Sequence, residues 1–152
     1  MEILRRISAF ITEMDFAVLS ALSPDGPWVS LMSYLPGSDG LEVFLAMSTG
    51  SYKAKLIGKN PKVALLIDNR SRRSDPGSVT ALGIHGTAGF VTAYTEKIEI
   101  VEAFRKHRPH LAELLGHPDT GIVSVTPRSF QLFDGVDKGY FLKRGGVGWV
   151  LE

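Results

Sequence analysis

The stretch STGSYKAKLIGKNPKVALLID, Ser48 to Asp68, sets a hydroxyl-rich turn before a short helix and closes that helix with an Asn-Pro stop ahead of an apolar run. Ser51 to Ile57 reads as the helix. Gly58 suits a left-handed residue at its end, and Asn60-Pro61 prevents continuation. Val63 to Ile67 is unbroken in its apolar character, which predicts a strand buried on both sides. The turn itself admits two readings. In one, the N–H groups that open the helix have no partner within it and point outward. The hydroxyls of Ser48, Thr49 and Ser51 and the charge of Lys53 then join them as a seat for an anion. A lysine in the first turn opposes the helix dipole unless an anion offsets it. In the other reading Ser51 is an ordinary cap, and Lys53 and Lys55 are solvated.

Working outward from this stretch, the apolar spacing changes period twice. Ile3, Leu4, Ile7, Phe10, Ile11 and Met14 recur at helical intervals, so Met1 to Met14 is expected to be a helix with one stripe facing a core. Phe16 to Leu22 is a compact apolar run that ends in the turn signal Ser23-Pro24-Asp25-Gly26-Pro27. Trp28 to Leu35 alternates as a strand does, and Gly37 to Gly40 turns the chain into Leu41 to Met47. Short turns between these runs predict an antiparallel meander.

On the far side, Asn69 to Ser78 reads as a polar loop and Val79 to Thr92 as a strand. Its glycines, Gly83, Gly86 and Gly89, mark bends or close approaches. Thr95 to Leu115 is a second helical region with Thr95 as its expected cap. Its apolar face is Ile98, Val101, Phe104, Leu111 and Leu115, broken at Pro109. Gly121 to Asp134 supplies one or two strands and Tyr140 to Lys143 one more, with an irregular tail after Lys143. Six or seven strands, hairpin turns and glycine bends favour a mainly β single domain over 1–152, an antiparallel barrel with flanking helices.

Composition bounds the function. The 152 residues are 44% hydrophobic and 22% charged, with a net charge of +1 and no cysteine. Scattered charges of both signs argue against a nucleic-acid partner. Thiolate catalysis, disulfides and cysteine metal sites are excluded. The first 14 residues carry charge throughout, which argues against a signal peptide or membrane span and makes the cytoplasm the expected compartment.

The composite of AVLSALSPDGPWVSLMSY, then GSYKAKLI with NPKVALLID, then GIHGTAGFV, resembles the pyridoxamine 5'-phosphate oxidase-like flavin-binding split barrels in order and spacing from Met1 to about Val91. The resemblance implies a six-stranded antiparallel split barrel that forms a homodimer and holds FMN in clefts between the subunits. It implies that Ser30, Leu31, Met32 and Ser33 run beside the flavin ring. Ala46, Met47 and Ser48 would meet the ring or its side chain, and Ser51 and Lys53 would hold the phosphate, with the Thr49 hydroxyl able to donate to it. Tyr52 stands where the oxidases carry an arginine, Ala81 where they carry a glutamine, and their C-terminal tryptophan and arginine segment has no match. The expectation is therefore an FMN-dependent oxidoreductase of unknown small-molecule substrate, with no catalytic residue assigned and vitamin B6 oxidation disfavoured. A deazaflavin in place of FMN remains open.

A second resemblance, to the haem-utilisation branch of the same fold, rests on VLSALSPDG and FRKHRPHLAELL. His85 is the candidate to approach either a flavin or a haem, its plain alternative being a hydrogen-bonded structural histidine. His107, His110 and His117 fall close together, but Pro109 breaks their spacing and no carboxylate motif accompanies them, so no metal is assigned. Arg70, Arg72 and Arg73 are either a solvated loop or a reach toward an anion. No Ser-His-Asp order or HExxH spacing points to a hydrolase.

Overall fold

The computed structural model describes Met1–Glu152. Six strands close a ring: β1 (Phe16–Ser23), β2 (Gly26–Pro36), β3 (Val43–Ser48), β4 (Lys62–Asp68), β5 (Thr80–Phe90) and β6 (Thr120–Asp134). All neighbours are antiparallel in the order β3-β2-β1-β4-β5-β6, and β3 pairs back onto β6 from Val43↔Val125 to Ser48↔Thr120. The ring is the expected six-stranded barrel. β7 (Gly139–Gly145) and β8 (Gly148–Leu151) extend it beyond β6 as a hairpin.

Two structural causes shape the ring. β1 and β2 form a hairpin registered from Phe16↔Ser33 to Ser23↔Gly26, with Gly26 at φ 120° where an L-residue would be strained. Along β5 the pairing with β6 shifts between His85 and Gly86. A side chain at Gly86 would place its Cβ 2.7 Å from the Thr126 carbonyl, so glycine permits the close approach that the bend requires.

Inside the barrel lies a cluster of 25 buried side chains. α1 (Glu2–Glu13) contributes Ile7 and Ile11, both fully buried, as its apolar stripe anticipates. α2 (Tyr52–Lys59) contributes Ala54, Leu56 and Ile57. A smaller cluster on the outside of β2, β3 and β6 gathers Leu35, Ala46, Ile100, Phe104, Leu115 and Ile122, and holds α3 (Tyr94–His107) and α4 (Ala112–Gly116) against the wall. No helix is long and apolar enough to cross a membrane.

Several local expectations are corrected. Gly58 sits inside α2 with a negative φ, and the helix ends at an extended Asn60. β4 is buried on one face only: Val63, Leu65 and Ile67 point inward while Leu66 is 43% exposed, because a barrel wall has a core on one side. Thr95 is not the cap of α3; Ala93 holds that place and no side chain caps it. Ile100 is buried where Ile98 was expected and Ile98 is exposed, a rotation of the apolar face. Gly121 to Asp134 is one strand, and the tail forms the β7–β8 hairpin because Trp149 packs its ring 4.8 Å from that of Phe130.

Candidate functional site

α2 begins where β3 ends, so the turn Ser48 to Ser51 lies at the mouth of the barrel wall. The turn is rigidly built. Thr49 donates both its backbone N–H (2.9 Å) and its hydroxyl (3.0 Å) to the Asp119 carbonyl. Ser51 Oγ donates to the Ser48 carbonyl at 2.7 Å and accepts from the Ala54 N–H at 3.3 Å, so it is the helix cap. Ser48 Oγ accepts from the Gly50 N–H and keeps its own proton to give. The N–H groups of Tyr52 and Lys53 have no acceptor within the chain, as the first turn of a helix dictates. Lys53 is half-buried and forms no ion pair.

This turn forms one end of a cleft of about 300 Å³ lined by Leu31, Met32, Ser33, Ala46, Met47, Ser48, Ser51, Lys53, Leu111 and Leu114. Eight of the twelve residues singled out from sequence thus share one cavity. β2 supplies three of them and the end of β3 another three, because Tyr34 to Pro36 pairs with Val43 to Leu45 and brings the two strands side by side. The cleft combines an apolar wall with a donor-rich end, the usual build of a small-molecule site. Its chemistry fits an elongated ligand with a terminal anionic group: two unpaired N–H groups, a free hydroxyl proton and one ammonium at one end, aliphatic and thioether surface along the rest.

The other four residues lie elsewhere. Ser30 and Thr49 do not reach the cleft. Tyr52 turns to the opposite side of α2 and meets Trp28 edge to face, ring centroids 5.2 Å apart. His85 is exposed on β5 and lines a separate cavity of about 490 Å³ with Ser20, Leu22, Lys62 and Arg128; Ser129 Oγ is 3.4 Å from its Nδ1.

Sequence reasoning missed the cleft's outer wall. Leu111 and Leu114 come from the segment after Pro109, where the chain runs through a short 3-10 turn into α4. His110 Nε2 lies 2.7 Å from Ser33 Oγ, and Arg108 Nε donates to the Tyr34 carbonyl at 3.0 Å. On the other flank Thr120 Oγ1 donates to the Leu114 carbonyl. The only signal for this wall was Pro109, which told that the helix breaks but not where its second part docks. His107, His110 and His117 do not gather into a metal-ligating group.

Next to Ser33 on β2, the Tyr34 ring is fully buried and its hydroxyl donates to the Ile11 carbonyl at 2.7 Å. Burial raises the pKa of this phenol well above its ordinary value, opposed in part by Arg108.

Comparison with known proteins agrees with this architecture. The fold is shared with a haem-binding protein from Mycobacterium smegmatis (TM-score 0.76, 17% identity, 91% of this chain and 55% of that one). It is shared also with General Stress Protein 26 from Bacillus anthracis (0.73, 19%, 94% and 99%) and with HutZ, a haem storage protein from Vibrio cholerae (0.68, 16%, 86% and 93%). No curated protein matches the sequence. The profile of the pyridoxamine 5'-phosphate oxidase family matches residues 3–134, which takes in the barrel, the turn and both walls of the cleft, and the chain belongs to that family.

Proposed function

We propose that the chain binds FMN and works as a flavin-dependent oxidoreductase, with the cofactor lying in the cleft between two copies. One observation carries this reading: the donor-rich turn at Ser48 to Lys53 and the apolar strands at Leu31 to Ser33 and Ala46 to Ser48 converge on a single cavity. Bound flavin would supply the redox chemistry; the chain supplies placement and electrostatics. Lys53 and the N–H groups of Tyr52 and Lys53 would take the phosphate, together with the Ser48 hydroxyl. Ser51 acts indirectly, since its proton is held by the Ser48 carbonyl and it fixes the helix start. Leu31, Met32 and Met47 would exclude water from the ring.

A second copy is part of the reading because the cleft is at the small end for a cofactor pocket and its rim is apolar. The outer face runs from Leu66 through Val18 to Leu31, residues that pair directly across β4, β1 and β2, and Leu31 belongs to the cleft itself.

The test is a titration with FMN followed by quenching of flavin fluorescence. Lys53→Ala should weaken binding by about 1.5–3 kcal/mol, the worth of a hydrogen bond to a charged group. Equal affinities for the variant and the native protein would remove Lys53 and the turn from the site. Running the same titration with a deazaflavin distinguishes the two cofactors.

A second reading is haem binding. It is favoured by the separate cavity at β5, where an exposed His85 stands with two cations, Lys62 and Arg128, suited to haem carboxylates. An intense absorption band on adding haem, lost in His85→Ala, would support it; a band unchanged in that variant would not.

A further inference from the structure

On the face of the barrel where α1 packs, a second polar cavity has no place in the reading above. It measures about 150 Å³ and is enclosed by α1, the loop between β4 and β5, and β6. Arg6, Arg72 and Arg73 stand around it with Glu13, and Phe10, Met14 and Leu132 form apolar surface.

Asn69 is what marks this cavity as built. The residue is 95% buried, as its relative exposure of 5% shows, and its orientation is fixed: the Thr80 N–H donates to Oδ1 at 2.8 Å, and its own N–H donates to the Thr80 carbonyl. That assignment leaves Nδ2 as the other end of the amide, with no acceptor in the chain. No wholly enclosed side-chain polar atom lacks a partner, so Nδ2 reaches the cavity, and Asn69 lines it. Nδ2 is thus an accessible donor on the lining of the cavity, held in place by a buried residue and free to meet an acceptor that enters.

The charges say which acceptor. Arg6 is bound to Asp134 at 2.7 Å, and Arg72 lies 3.6 Å from Glu13. Arg73 forms no ion pair, although it stands over the same cavity. Three guanidinium groups against two carboxylates leave one positive charge, which matches a monoanion. A carboxylate offers two in-plane acceptor oxygens to a guanidinium fork and to an amide N–H. Its carbon chain would lie on Phe10, Met14 and Leu132. A phosphate carries about two negative charges near neutral pH and presents nothing to that apolar surface.

We infer that the cavity between α1 and the β4–β5 loop binds a small organic monocarboxylate, held by Arg73 and Asn69. The experiment follows the Asn69 side-chain amide by NMR while propionate is titrated into the full chain, with inorganic phosphate as the comparison anion. Propionate is expected to move that signal saturably, and Arg73→Gln to weaken the response by about tenfold or more, the equivalent of a lost charge-assisted hydrogen bond. Arg73 is exposed, so the variant folds; Lys106→Gln, an exposed change on α3 away from every cavity described, should leave the response intact. An Asn69 signal indifferent to propionate, an undiminished response in Arg73→Gln, or tighter binding of phosphate than of propionate would each overturn the assignment. FMN affinity, measured in the same samples, reports on the other cleft separately.

Discussion

Ser33 Oγ and His110 Nε2 lie 2.7 Å apart, a contact that fastens the turn before α4 to strand β2 and so sets the width of the cleft between them. Leu111, the next residue, is one of the two that form the outer wall. If the contact acts by placing that wall, removing either partner should have the same effect as removing both. Ser33→Ala and His110→Ala are each expected to weaken FMN binding by roughly 0.5–1.5 kcal/mol, and the double variant by no more than the larger single loss. Additive losses would show that the two side chains act separately.

The wall depends also on its anchor. Phe104 is fully buried in the small cluster with Leu35, Ala46, Ile100, Leu115 and Ile122, on the far side of the same strands. Truncation to alanine removes a ring that no neighbour can replace, at a cost of about 3–5 kcal/mol. Phe104→Ala should therefore lower the urea midpoint strongly and loosen FMN binding together, because Ala46 belongs to both the cluster and the cleft. A full loss of stability with native FMN affinity in the folded fraction would separate the helices from the site.

Much of this arrangement can be read from the residues, and the reasons for the remainder are physical. Strand alternation at Trp28 to Leu35 and the capped turn at Ser51 are local patterns, so β2, β3 and α2 emerge directly, and with them Ser48, Ser51 and Lys53 as an anion seat; Leu31 to Ser33, Ala46 and Met47 enter only through the family resemblance. Leu111 and Leu114 are not local: their place depends on Phe104 docking outside β3 and β6, and a proline at 109 does not encode a docking direction. Tyr52 was misplaced because adjacent residues on a helix point about 100° apart, so it cannot share a face with both Ser51 and Lys53. Alternation with Ile84 turns His85 away from the core, but it does not encode which cavity that outer face borders, and the barrel sets β5 on a different part of the wall from the cleft. The irregular tail was overturned by a tertiary contact, Trp149 on Phe130, that no short-range rule contains.

Tyr34 links stability to alkaline pH. The folded state holds the phenol proton beyond the ordinary value near 10, because the ring is buried and the hydroxyl donates to the Ile11 carbonyl. A group raised in the folded state contributes its full stability below the unfolded value and loses it as pH climbs through the folded one. Melting temperature should thus begin to fall above a pH of about 10. Tyr34→Phe should cost about 1 kcal/mol at neutral pH, for the lost hydrogen bond, yet decline less steeply above that pH. Parallel curves for the two proteins would show that other groups govern the alkaline loss.

The last expectation concerns the second copy. Leu66, Val18 and Leu31 form one cross-strand row on the outside of the barrel, and Leu66 and Leu31 are 43% and 69% exposed. Val29 at 64% and Leu22 at 45% widen the patch, which isolated surface residues would not do. A contiguous apolar face that runs into the rim of the cleft is suited to burial against its own equivalent, since a two-fold interface is self-complementary. Light scattering should then give twice the mass of the chain. Leu66→Lys places a charge at one end of that row, about 25 cal/mol per Å² of apolar burial being replaced by a desolvation penalty, and should yield the monomer. Because Leu66 does not line the cleft, FMN binding by Leu66→Lys should fall only through the loss of the partner. It should recover as protein concentration is raised if dimers re-form. A native protein that scatters as a monomer with full FMN affinity would leave the cleft complete in one chain and remove the partner from the site.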